Sequence, residues 1–192
     1  GCMGNIKNVS VTGQIAGYNQ TGGLVGQIYS GSISEAYAIG EVTGNENIGG
    51  FAGVLQDGTI TNTYAAGEVT GTNNVGGFMG YLEGGSVTAS FWDNETSRLS
   101  EGIGSGSTTG IASKTTAQMK SKATFEAAVW DFTNDWAIIA ENLSISYPYL
   151  QSIPQDPAPG YDEIFAGGDG TAETPYQIAN WKDLNYVRNV MG

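Results

Sequence analysis

Gly22–Gly26 reads GGLVG, and the same frame returns as GGFAG at Gly49–Gly53 and as GGFMG at Gly76–Gly80, each time 27 residues further on. Outward from that pentapeptide the other columns keep the same register. Ile6, Ile33, Ile60 and Val87 are equivalent, as are Gly13, Gly40 and Gly67. Four repeats are visible, the first and last incomplete. A fixed period in this range marks stacked supersecondary units, none of which can bury its apolar face alone.

Within one period the pattern is short β-type runs broken by glycine, as in Ser32 to Ala38, Glu41 to Thr43 and Ile48 to Leu55. None reaches helix length. Apolar columns (Ile6/Ile33/Ile60/Val87, Ile15/Val42/Val69, Leu24/Phe51/Phe78, Ile28/Leu55/Leu82) are spread around the period, which predicts a coil wound about an interior and not a sheet with one wet face. At roughly 3.3 Å per residue one period closes a short circuit of about three strands. A propeller blade needs about 40 residues, and the LxxLxL frame of a leucine-rich repeat is missing. The predicted fold is all-β, a parallel β-helix with 27-residue rungs, wound in the default right-handed sense of parallel crossovers. Stacking sets like on like about 4.8 Å apart. Tyr37, Tyr64 and Phe91 then form an aromatic column with Ser10 as its first-rung exception, and Gln14, Glu41, Glu68 and Glu95 form a polar ladder. That ladder reads as a solvated acidic stripe, with a calcium site as the sharper alternative.

Composition removes whole function classes. Seven Lys and Arg against nineteen Asp and Glu leave a formal charge of −12, which repels phosphate backbones and anionic lipid, so no nucleic-acid partner is expected. Without histidine the usual general base, the usual metal ligand and the HExxH zinc motif are all missing. Cys2 is the single cysteine and has no partner for an intrachain disulfide. No run of eighteen apolar residues or signal peptide is present, and no direct membrane insertion is expected. The chain opens inside a repeat, so it reads as a mature fragment or as part of something longer.

The GLVG, GFAG and GFMG cores, followed by GSISEAYAIGEVTG and DGTITNTYAAGEVTG, resemble the GLUG repeat of bacterial and archaeal cell-surface proteins over roughly residues 4 to 96. SFWDNETSRLSEG, then TTAQMKSKATFEAAVWDFTNDWAI, then SYPYL are similar to the segment that closes GLUG domains, which extends the likeness to about residue 150. The resemblance implies a β-solenoid on a secreted or surface-attached protein, often an adhesin. The metallopeptidase activity that accompanies some GLUG repeats has no zinc motif here to carry it. Residues 1–96 are therefore expected to be solenoid and 97–153 a C-terminal cap over its open end, with a capping box at Thr115 and Gln118 opening a short helix to about Ala128. Trp130, Phe132, Trp136, Ile138 and Tyr149 are expected to plug the last rung, the alternative being a sugar-stacking platform. PQDPAP lies in a stiff linker (154–160). Residues 161–192 resemble the opening element of a following or neighbouring GLUG domain, a PYQI strand and a helix capped by Asn180 with Trp181, Leu184 and Val187 on one face.

The paired glycines lack the lysine and helix of a phosphate loop and serve as turns. Asp93 and Glu95 are the one pair of carboxylates that a β-helix hydrolase or lyase would use, at i and i+2 on a strand, with Arg98 as cationic helper. They fall where the repeat breaks, and no catalytic, cofactor-binding or metal-binding residue is assigned. Asn8, Asn19, Asn94 and Asn142 head N-x-S/T sequons. The expected function is a non-catalytic structural or adhesive module at the cell surface, associating head to tail or in tandem with copies of itself. A carbohydrate-binding or carbohydrate-active β-helix, marked by a ladder of exposed aromatics, is the alternative.

Overall fold

A computed structural model of the chain describes residues 1–107, 109–139 and 146–153. The expected linker, the tail and Asn142 lie outside the described residues. The chain winds as a parallel β-solenoid whose turns repeat at 27 residues, as Ile6 pairs with Ile33, Ile33 with Ile60 and Ile60 with Val87.

Each of the first three turns has four strands where about three were expected. The second turn runs Ser32–Ile39, Val42–Thr43, Glu46–Gly49 and Ala52–Leu55. The extra corner is the double glycine. Gly49 and Gly50 bend the chain so sharply that Phe51, immediately after them, enters the interior, fully buried. Glycine is also what lets the third and fourth sheets touch. A Cβ on Gly80 would meet Asn47 Cα at 2.7 Å and one on Gly53 would meet Thr21 N at 2.7 Å, distances that real side chains do not reach. The repeated GGxxG is thus a record of backbone meeting backbone.

The long face consists of Asn5–Thr12, Ser32–Ile39, Thr59–Ala66, the pair Ser86–Thr88 and Ser90–Asp93, and Ile111–Lys114. These strands do not alternate strictly. Asn8, Glu35, Asn62 and Ala89, one per turn, have φ of 56°, 45°, 53° and 46°, a left-handed residue that reverses the parity of everything after it. Ile33, Ala36 and Ala38 therefore join the interior core, while Tyr37 and Ile39 belong to an outer aromatic cluster. Inside, the Phe51 and Phe78 rings stack at 4.9 Å and 6°, with Leu24 half-buried against them. A smaller core of Val42, Ile48 and Val69 fills the corner.

Parallel pairing does not stop at residue 96. Ile103–Ser105 pairs with Met79–Leu82, and Ile111–Lys114 pairs with Ser90–Asp93. Trp92, in register with Ala65, closes the interior here: Cβ atoms on Gly77 and Gly102 would strike its ring. Leu99 bridges the interior and corner cores. The end of the coil is thus filled by Trp92 and Leu99.

The aromatic residues after 115 are packed, but not over the last rung as expected. Thr116–Met119 and Lys122–Glu126 form two short helices in place of one, the first opened by the predicted capping box. Their chain then runs back along the side of the coil as a strap that ends in the antiparallel pair Trp136–Ala137 and Tyr149–Leu150. Trp130, Trp136, Phe125, Tyr147 and Leu150 bury against Tyr37, Tyr64 and Phe91, from three successive turns. The strap reaches the first turn as well: Tyr149–Leu150 lies against Asn5–Thr12, and Lys7 Nζ sits 4.0 Å from Asp135. The parity reversal is the reason, because it turns a column of tyrosines outward that must then be covered.

Candidate functional site

Side chains 27 residues apart meet on the coil, and most polar groups singled out by sequence are spent on such meetings. In the acidic column Gln14 Nε2 donates to Glu41 Oε2 at 2.8 Å, and Arg98 Nη1 donates to Glu68 Oε1 at 2.8 Å. Glu95 has left the column. It sits in a one-turn helix, Asn94–Ser97, and its Oε2 accepts the Thr116 N–H at 2.8 Å. The column is thus a neutral–acid pair followed by an exposed ion pair, each worth little in water. Beside it, a shallow depression of about 300 Å³ is lined by Gln14, Ile15, Ala16, Glu41 and Thr43. Among the described residues no three His, Cys, Asp or Glu side chains are grouped to hold a metal ion.

Two further ladders carry no signal in hydrophobic periodicity. The left-handed column is linked by Asn62 Nδ2 donating to Glu35 Oε1 at 3.2 Å, with Lys7 Nζ 3.7 Å from Glu35. A second left-handed column, Gln20, Asn47 and Asn74, is linked by Asn74 Nδ2 donating to Asn47 Oδ1 at 2.8 Å. Asparagine recurs because its short amide tolerates positive φ. Its recurrence at fixed spacing was the signal that could have located both columns. Hydroxyls pair the same way, Thr61 with Thr88 and, buried, Thr63 with Ser90, each at 3.0 Å.

The candidate catalytic pair does not share a face. Glu95 is exposed, whereas Asp93 is completely buried at the foot of the strap. Asp93 Oδ1 accepts the backbone N–H groups of Glu95 at 3.0 Å and Thr96 at 3.1 Å, as an N-cap. Its Oδ2 accepts the hydroxyls of Thr116 at 2.8 Å and Tyr147 at 2.6 Å. One carboxylate therefore joins the last long strand, the corner helix, the first strap helix and the strap's return. Burial, and then the hydrogen bond to Asp93, push the Tyr147 phenol far above its usual range. Arg98, the proposed helper, points instead to Glu68. Asp93 caps the helix it directly precedes, whereas its partner Tyr147 lies 54 residues away.

The tyrosine column is shut in. Tyr37 and Tyr64 stack at 5.1 Å and 10°, both fully buried, and the Tyr64 hydroxyl donates to the Pro148 carbonyl at 2.7 Å. Trp130 Nε1 donates to the Ala89 carbonyl at 2.9 Å. Of the sequons, Asn19 is exposed, while the Oδ1 atoms of Asn8 and Asn94 are buried.

Comparison with known families places the GLUG motif on residues 17–43 and 44–70, two tandem copies that together cover the second and third corners, both intact GGxxG frames of the early turns and the two full long strands after them. No curated protein and no solved structure matches the chain. The motif's length is the length of one turn of the coil, so each copy is one structural unit, and residues 17–70 are two GLUG-motif repeats of a β-solenoid.

Proposed function

We propose that this solenoid is a non-catalytic, adhesive spacer of an extracellular or cell-surface protein, its rigid coil holding a binding surface away from whatever it is anchored to. As a fold it is a structural module. The observation that carries the reading is the fate of Asp93: among the described residues it is the one buried carboxylate, and its four hydrogen bonds are committed to capping the corner helix and tying the coil to its strap. The cell-surface setting is supported by the resemblance drawn from the repeat and its closing segment.

The sugar-stacking alternative asks for a ladder of exposed aromatics. Among the described residues the large exposed aromatics are Tyr18 and Tyr29, both in the first turn, and the stacked column is buried. The test couples the chain to beads and measures retention on cell monolayers and on a glycan array, with Phe51→Asp as the unfolded control. Retention that depends on the folded coil, together with no turnover of polysaccharide or peptide substrates, is expected. Turnover abolished by Asp93→Asn or Glu95→Gln overturns the reading.

A further inference from the structure

The long face is divided by its left-handed residue, and the half before that residue carries a pattern of its own. Ser32-Ile33-Ser34, Thr59-Ile60-Thr61 and Ser86-Val87-Thr88 stand at the same three positions of successive turns. The middle residue of each is buried in the interior, so alternation along the strand turns the two flanking hydroxyls outward. Register puts Ser32, Thr59 and Ser86 in one column and Ser34, Thr61 and Thr88 in the next. The six form a net with a mesh of about 4.8 Å between turns and about 6.6 Å along each strand. Thr59, Ser86 and Thr88 are exposed and the other three half-buried, while the strap packs on the other half of the face, over Tyr37, Tyr64 and Phe91.

This net is neutral in a chain of formal charge −12. A charge enters its columns in the first turn, where Lys7 stands in register with Ser34. The hydroxyls are also held in place. Thr61 Oγ1 and Thr88 Oγ1 lie 3.0 Å apart across the turn, threonine is stiff at χ1, and the backbone beneath is fixed by the buried column Ile33, Ile60 and Val87. Each hydroxyl can donate one hydrogen bond and accept others. A group ordered before contact loses little freedom on binding, so many weak contacts add up. What matches such a net is a surface that is itself uncharged, donates and accepts, and repeats in two directions at a similar mesh. A dissolved glycan repeats in one direction only. A crystalline polysaccharide presents flat sugar faces that call for aromatic rings, and none stands in the net. The surface of ice, a lattice of water molecules, has all three properties.

We propose that the outward hydroxyls of Ser32, Ser34, Thr59, Thr61, Ser86 and Thr88 form a binding site for the ordered water lattice of an ice surface. Lattice waters donate to and accept from the hydroxyls, and the methyl groups of Thr59, Thr61 and Thr88 displace loosely held water between them. The buried pair Thr63 and Ser90, by contrast, serves the coil itself. The site goes beyond the adhesive reading and does not depend on it.

Partition into a slowly growing ice front tests it, with the 192-residue chain frozen beside a protein of similar size that has no such net. Expected is enrichment of the native chain in the ice fraction, lowered about tenfold in Thr61→Lys, whose ammonium must be dehydrated against an uncharged lattice. Thr70→Lys, at an exposed position on the neighbouring sheet, should keep the native enrichment. If Thr61→Lys alters the circular dichroism of the coil, Thr88→Lys, at an exposed position of the net, is read in its place. A native chain excluded from ice as fully as the reference protein overturns the proposal, and retention on microcrystalline cellulose in that case assigns the face to a polysaccharide. Equal enrichment of the native chain and the net variant overturns it too, because the net then plays no part.

Discussion

Asp93 is the residue on which the end of the coil depends. It is buried, and its carboxyl oxygens accept from two backbone N–H groups and two hydroxyls, all of which lose a partner if it is removed. Asp93→Ala should cost on the order of 3 kcal/mol, combining a lost N-cap with buried donors left unpaired, as read from the urea midpoint. Tyr147 gives the same junction a pH dependence. Its folded phenol titrates far above 10.0, the unfolded value, because burial and Asp93 both oppose the phenolate. Tyr64 is raised too, chiefly by burial. Below 10.0 both rings are neutral in either state and their contribution is complete. Above it the unfolded chain gives up protons that the folded one keeps, so stability falls by about 1.4 kcal/mol per pH unit for each ring. Stability measured from pH 8 to 11 should turn downward near the upper end, and Tyr147→Phe should lessen the slope.

Each turn of the coil is held by an interior filled from one side and a backbone contact on the other. Phe51 stacks on Phe78 and is sealed above and below, so Phe51→Ala should cost about 3 to 5 kcal/mol. Gly53→Ala carries a different penalty. Its new methyl would be driven into the Gly26 carbonyl and the Gln20–Thr21 peptide, and pushing those backbones apart should cost about 1 to 3 kcal/mol although no contact is deleted. Thermal melts of the two variants, with a crystal structure of the second showing whether the third and fourth sheets separate, check both. An interior variant at a position with a free Cβ would show no such separation.

A stack of repeats by itself behaves as a one-dimensional array, in which each turn answers only to its neighbours and ends fray independently. The strap alters that for this molecule. Trp130, Trp136 and Tyr147 touch aromatic residues of three turns at once, and Lys7 and Asp135 bring in the first. The described chain should therefore unfold as one unit, with far-ultraviolet circular dichroism and tryptophan fluorescence giving coincident transitions. Trp136→Ala, which removes a completely buried ring from the strap, should cost about 3 to 5 kcal/mol. It should also split the two transitions, the strap signal being lost before the coil.

The sequence by itself determined the coil, its period, its interior columns and the pairing register, because parallel stacking writes translational symmetry into the chain as like residues 27 apart. Phe51 over Phe78 and Tyr37 beside Tyr64 needed no structure to be named as columns. What hydrophobic periodicity did not show was which side of the wall each column faced. That depends on the left-handed residue at Glu35 and Asn62, which reverses strand parity before Tyr37 and Tyr64 and turns them outward. Only the tertiary structure decided what followed. A single-copy segment has no second copy to reveal its register, and the apolar residues of the strap would suit an end or a side equally well. The outward tyrosines, completely buried only because the strap covers them, are what drew it along the side of the coil and committed Asp93 to holding it there.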